Sequence, residues 1–151
     1  MKKLIALCLL IGFVSFSNAQ QIRLVPTKLI KQLPNGWHKF VTNGVVFDVE
    51  ISEGSLVKGN IKWLDNSTYS GSFANNVISG RGTYTWANGD KYEGSFKNNE
   101  RHGKGSMYWK DGTKYSGKWK NNKKNGKGKM WEADGTLVVG LWEENKLIKS
   151  K

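Results

Sequence analysis

Large and small side chains alternate over short stretches of this chain, and the alternation recurs every 23 residues. Tyr69, Tyr92, Tyr115 and Val138 begin successive units, Gly71, Gly94 and Gly117 follow, and Phe73, Phe96 and Trp119 come next. Within the first unit Ser70 and Ser72 separate Tyr69, Gly71 and Phe73, a period of two that predicts a β-strand. A second strand is predicted over 80–86, with Gly80, Gly82, Tyr84 and Trp86 on one face and Arg81, Thr83 and Thr85 on the other. Glycine weakens a strand interior, so glycines recurring on one face imply that something large lies over them. The Tyr and Phe/Trp rings of neighbouring strands are the candidates.

The connections follow from turn chemistry. A six-residue link containing Asn75-Asn76, repeated as Asn98-Asn99 and Asn121-Asn122, is expected between the two strands of a unit, because asparagine tolerates left-handed backbone. Asn88-Gly89, Asp111-Gly112 and Asp134-Gly135 are expected to form tighter, two-residue hairpins between units. Hairpins with no helix-length segment between them predict an all-β fold, an elongated antiparallel meander of stacked β-hairpin repeats. Ten strands are expected, the last near 136–142, and nine spacings of about 4.8 Å would make a sheet about 43 Å long.

The flanks are less regular. Val57 to Trp63 aligns one period before 80–86, which makes 46–68 a degenerate unit. Residues 20–45 form an N-terminal arm and the first hairpin strand, with Asn43-Gly44 as its turn. Within the arm, Pro26 and Pro34 bracket either one or two turns of helix capped by Thr27 or an extended segment. The unit at 138–147 is partial, stopping after one strand, and 148–151 is a basic tail.

The pattern Tyr-x-Gly-x-Phe/Trp, then Gly-x-Gly, an aromatic and an Asp/Asn-Gly turn, resembles the MORN (membrane occupation and recognition nexus) repeat family over 69–91, 92–114 and 115–137. A leucine ladder is missing, as are the Gly-Trp and Trp-Tyr-Tyr signatures of choline-binding repeats. The resemblance implies membrane-lipid contact or protein assembly, or a role as an accessory module of an envelope enzyme.

Lys2 and Lys3 ahead of an apolar run from Leu4 to Phe16, closed by Ser17-Asn18-Ala19, have the form of a bacterial-style secretory signal peptide at 1–19. An exported chain, periplasmic or extracellular, is the expectation. Cys8 lies inside this segment behind Leu7, which disfavours lipidation, so no disulfide framework is expected after cleavage. No other stretch reaches the roughly 20 apolar residues of a spanning helix.

Charge adds a direction. The formal net charge is +12, and 97–129 holds eleven Lys/Arg against Glu100 and Asp111. Such a surface favours anionic partners in a salt-dependent way. Arg81, Lys104 and Lys127 recur at one position on the face opposite the glycines and, with Lys120, Lys123 and Lys124, are the candidate basic binding residues. Tyr84, Trp86, Trp109, Trp119, Trp131 and Trp142 are a candidate aromatic surface, or else core.

No catalytic constellation is visible. His38 and His102 are nearly three periods apart, and without a mature cysteine no zinc ligand set forms, so neither metal nor cofactor is expected. Gly103-Lys104-Gly105 sits in strand context rather than opening a helix, which argues against a phosphate loop. The expectation is a non-catalytic protein-interaction or scaffolding module. Anionic lipid headgroups or envelope polysaccharide are the alternative partners, and export makes nucleic acid a distant one.

Overall fold

The computed structural model describes residues 27–150. The expected signal peptide at 1–19, Cys8 and the arm up to Pro26 lie outside the described residues.

These residues form one short helix, α1 (Thr27–Ile30), and eleven strands: β1 (Gly36–Thr42), β2 (Val45–Ser52), β3 (Ser55–Lys62), β4 (Thr68–Ala74), β5 (Val77–Thr85), β6 (Lys91–Lys97), β7 (Glu100–Tyr108), β8 (Lys114–Lys120), β9 (Lys123–Trp131), β10 (Leu137–Glu143) and β11 (Lys146–Ser150). They make a single antiparallel sheet whose spatial order is the chain order. The meander is therefore as expected, with one strand more. β11 takes up residues assigned to the tail, because Glu144-Asn145 forms a left-handed turn (φ 48° and 72°) that sends the chain back along β10. Ten spacings of about 4.8 Å give a sheet of roughly 48 Å.

The tight and loose connections are exchanged relative to the sequence reading. Asn75-Asn76, Asn98-Asn99 and Asn121-Asn122 are the two-residue turns, with every one of the six asparagines at positive φ. That backbone matches the right-handed twist of the flanking strands. At Asn88-Gly89 only the glycine is left-handed, at φ 94°. There Gly89 N–H donates to the Trp86 carbonyl and Trp86 N–H to the Asp90 carbonyl, giving a five-residue loop over 86–90.

The two glycines of each Gly-x-Gly pair also do different things. Three residues, Ser79 to Arg81, stand opposite Ser72 alone, so β5 bulges there, and Gly80 supplies the positive φ of 91° that the bulge requires. Gly80 is exposed and covered by no ring, contrary to its expected place on the aromatic face. Gly82 is the covered one. A Cβ there would stand 2.5 Å from the Tyr69 ring and hydroxyl.

One face carries the core. Register aligns Phe47, Ile61, Tyr69, Tyr84, Tyr92 and Met107 across successive strands, continuing through Tyr115 to Val138. Phe47 therefore shares the register level of the repeat tyrosines. Each repeat tyrosine packs edge-on against the ring of its own unit and that of the next: Tyr69 on Phe73 and Phe96, Tyr92 on Phe96 and Trp119, Tyr115 on Trp119 and Trp142. Their hydroxyls donate to the carbonyls of Ser72, Ser95 and Lys118 at the far side of the glycines. Ile30 of α1, fully buried, belongs to the same core and sits over β3.

Burial raises the phenol pKa of Tyr69 and Tyr92 and pushes that of Tyr115 up to about 12. A raised folded pKa means that the unfolded chain releases these protons first. The stabilisation is complete below about pH 10 and is lost as pH climbs from there through the folded values. Alkaline titration followed by tyrosinate absorbance should show ionisation and loss of near-ultraviolet ellipticity together. Smooth titration near pH 10, as for free tyrosine, would contradict the buried ring row.

Candidate partner-binding groove

The face opposite the rings has small floor residues and long basic margins, and it forms a groove of about 1290 Å³ lined from β4 to β11. Three rows build it. Along the first, Arg81, Lys104 and Lys127 stand on β5, β7 and β9, and their register partners on the strands between are Ser95, Lys118 and Leu141. The row ends at Lys149 of β11, opposite Leu141. The second row, the floor, runs through Ser70, Thr83, Glu93, Ser106, Ser116 and Lys129. Ser106 and Ser116 hydroxyls share a hydrogen bond of 2.9 Å across β7 and β8. The third row holds Lys91, Tyr108, Lys114 and Trp131, of which Trp131 lines the groove, and the lysines rest on the rings: Lys91 and Lys114 lie over Tyr108 at 4.8 and 5.0 Å, and Lys114 over Trp131 at 5.0 Å.

Positive charge dominates. Glu93 is the one acidic residue lining the groove, and it is held by Lys91 at 2.7 Å, a contact that lowers the pKa of its carboxyl. Among the described residues, none of the ion pairs involves Arg81, Lys104, Lys127 or Lys149.

The sequence-derived candidates separate into three places. Arg81, Lys104 and Lys127 form the expected row. Lys120 and Lys123 face each other across the β8–β9 turn outside the groove, and Lys123 is ion-paired with Glu144. Lys124 belongs to the ring face instead. Its ammonium lies 4.1 Å from the Trp142 centroid and 5.5 Å from that of Tyr115, and burial lowers its pKa. It occupies the position held by Arg101 one unit upstream and by Ile78 two units upstream, where an aliphatic stem covers the rings and, in Arg101 and Lys124, the cation rests on their faces.

The aromatic candidates make core rather than a groove. Tyr84, Trp119 and Trp142 are buried, and Trp86 and Trp109 pack against them from the edge. Trp131 lies on the opposite face, in the third row. One residue of offset reverses a strand side chain, and Trp131 is in the place of Tyr108, not of Trp109.

Several groove residues escaped the sequence reading. Lys118 takes the position of Ser72 and Ser95, so a search for identical residues passes over it, although its alternation with Trp119 was a sufficient signal. Lys149 had none, since its strand was read as a tail.

Among the described residues no cluster of His, Cys, Asp and Glu could hold a metal, and no helix is long and apolar enough to cross a membrane. His38 is engaged with the Pro34 carbonyl at 2.7 Å.

Fold and groove together define a single-layer repeat sheet of the kind that offers one long surface to a partner. Residues 69–91, 92–114 and 115–137 each match the MORN repeat family, so the chain carries three consecutive MORN repeats. No curated protein matches the chain.

Proposed function

We propose that the chain is an exported, non-catalytic interaction module that takes a protein partner across the groove face of its sheet. The observation that carries this reading is the row of Arg81, Lys104 and Lys127, ion-paired with no acid among the described residues, along a groove whose floor is rich in hydroxyls. Shallow repeat sheets suit long partner segments, and the signal-like segment at 1–19 supports export.

The test is affinity capture from the native envelope fraction, comparing the exported form with a variant carrying Arg81→Gln, Lys104→Gln and Lys127→Gln. Exposed charges contribute about 0–1 kcal/mol each, so the unfolding temperature should hardly move while partner recovery falls. Retention of the same partner at low and moderate salt would remove the basic row from recognition. The same row favours a second reading, binding of anionic lipid headgroups or envelope polysaccharide. Co-sedimentation with acidic but not neutral vesicles, abolished by salt, would support that reading over the first.

A further inference from the structure

Register, more than net charge, marks out the groove. Four of the row's five cations, Arg81, Lys104, Lys127 and Lys149, stand at one level of the sheet on alternate strands β5, β7, β9 and β11, and Lys118 of β8 stands between Lys104 and Lys127. Alternate strands are about 9.6 Å apart. A ligand that satisfies all four must present an anion at that interval along a line crossing the strands.

An extended β-type peptide does not. Its same-side residues recur at about 6.7 Å, so it loses register by the second contact. A polyproline II helix has three residues per turn and about 3.1 Å per residue, so every third side chain lies on one side at about 9.3 Å. Over three intervals the accumulated mismatch is about 1 Å, within the reach of flexible lysine stems.

The other rows fit the same occupant. A polyproline II backbone makes no hydrogen bonds of its own, and the hydroxyls of Thr83, Ser106 and Ser116 lie along the floor where its carbonyls would run. On the far margin Trp131 of β9 lines the groove, with the Lys114 ammonium 5.0 Å from its ring centroid. A bilayer surface, whose anions move freely, would need none of this periodicity.

We propose that the groove recognises an acidic peptide in polyproline II conformation with an acidic residue at every third position. The inference rests on the protein-partner reading above and narrows it to a class of segment.

The experiment titrates the full chain into two fluorescein-labelled peptides near physiological ionic strength. One consists of repeated Glu-Pro-Pro triplets, and the other has the same composition with its glutamates in a single block. Four contacts engaged in register should make the periodic peptide bind about tenfold tighter or more. Replacing Lys104 and Lys127 with glutamine should then erase the difference between the peptides. Equal affinity for both peptides overturns the register inference and leaves a basic groove without spacing preference. Binding of neither overturns it as well, while the affinity capture described above decides separately whether a protein partner uses this face. Preferential displacement of the periodic peptide by phosphatidylserine vesicles would likewise refute it in favour of a lipid surface.

Discussion

Gly105→Val should lower stability by about 3 kcal/mol, the upper end of the usual overpacking penalty, while Lys104→Val next to it stays within about 0.5 kcal/mol. The two positions differ by one residue and by one face. A Cβ at Gly105 would run into the hydroxyl and ring of Tyr92, which is fully buried and held between Phe96 and Trp119. The ring has nowhere to go without opening both edge-on contacts. Lys104 points into the open groove, where valine meets only solvent. Thermal unfolding of the two variants gives the comparison directly, and similar melting temperatures would mean that the glycine is not a core contact.

Asn122→Ala should cost nearly as much, for a different reason. Its Oδ1 accepts the Arg101 N–H at 2.9 Å, its own N–H donates to the Arg101 carbonyl at 3.0 Å, and its φ is 67°. Asn99 and Asn145 hold Ile78 and Lys124 in the same way, and Asn76 Oδ1 accepts the Leu56 N–H at 2.8 Å. Losing the acceptor strands a half-buried amide, at about 1–3 kcal/mol, and alanine adds about 1–2 kcal/mol for left-handed backbone. Asn122→Gly incurs the first cost without the second, so it should fall between wild type and Asn122→Ala in denaturant unfolding. Glycine as damaging as alanine would mean that backbone strain plays no part there.

These two cases show how far the sequence could be read. The covered glycines and the tyrosines above them were legible because strand alternation and a fixed period place both on one face. The clamp role of Asn122 was not, since turn propensity explains its left-handed backbone but says nothing about a partner some 21 residues away. Asn-Gly and Asp-Gly were read as the tight turns from a rule about isolated dipeptides. In this fold Asn-Asn satisfies the rule's physical content better, with both residues left-handed. The basic row was readable from repetition at Arg81, Lys104 and Lys127. Lys124 misled because its charge suggests solvent, whereas its stem covers Trp142 and its ammonium rests on the ring. Lys149 stayed hidden because the last turn is Glu144-Asn145, which no repeat signature announces.

The ring row has a bearing on how this molecule comes apart. Its described residues form one sheet, so a unit is held only by the units before and after it. Cohesion of that kind behaves as a linear chain of couplings, in which opening starts where a neighbour is missing and travels inward. β11, exposed at all five residues, is one edge of the described sheet and β1 is the other, while Ile30 and α1 pack over β3 two strands in from β1. Amide exchange should therefore be graded along the array, fastest in β11 and slowest under Tyr92, with the groove shortening from its Lys149 end before the rest of the sheet gives way.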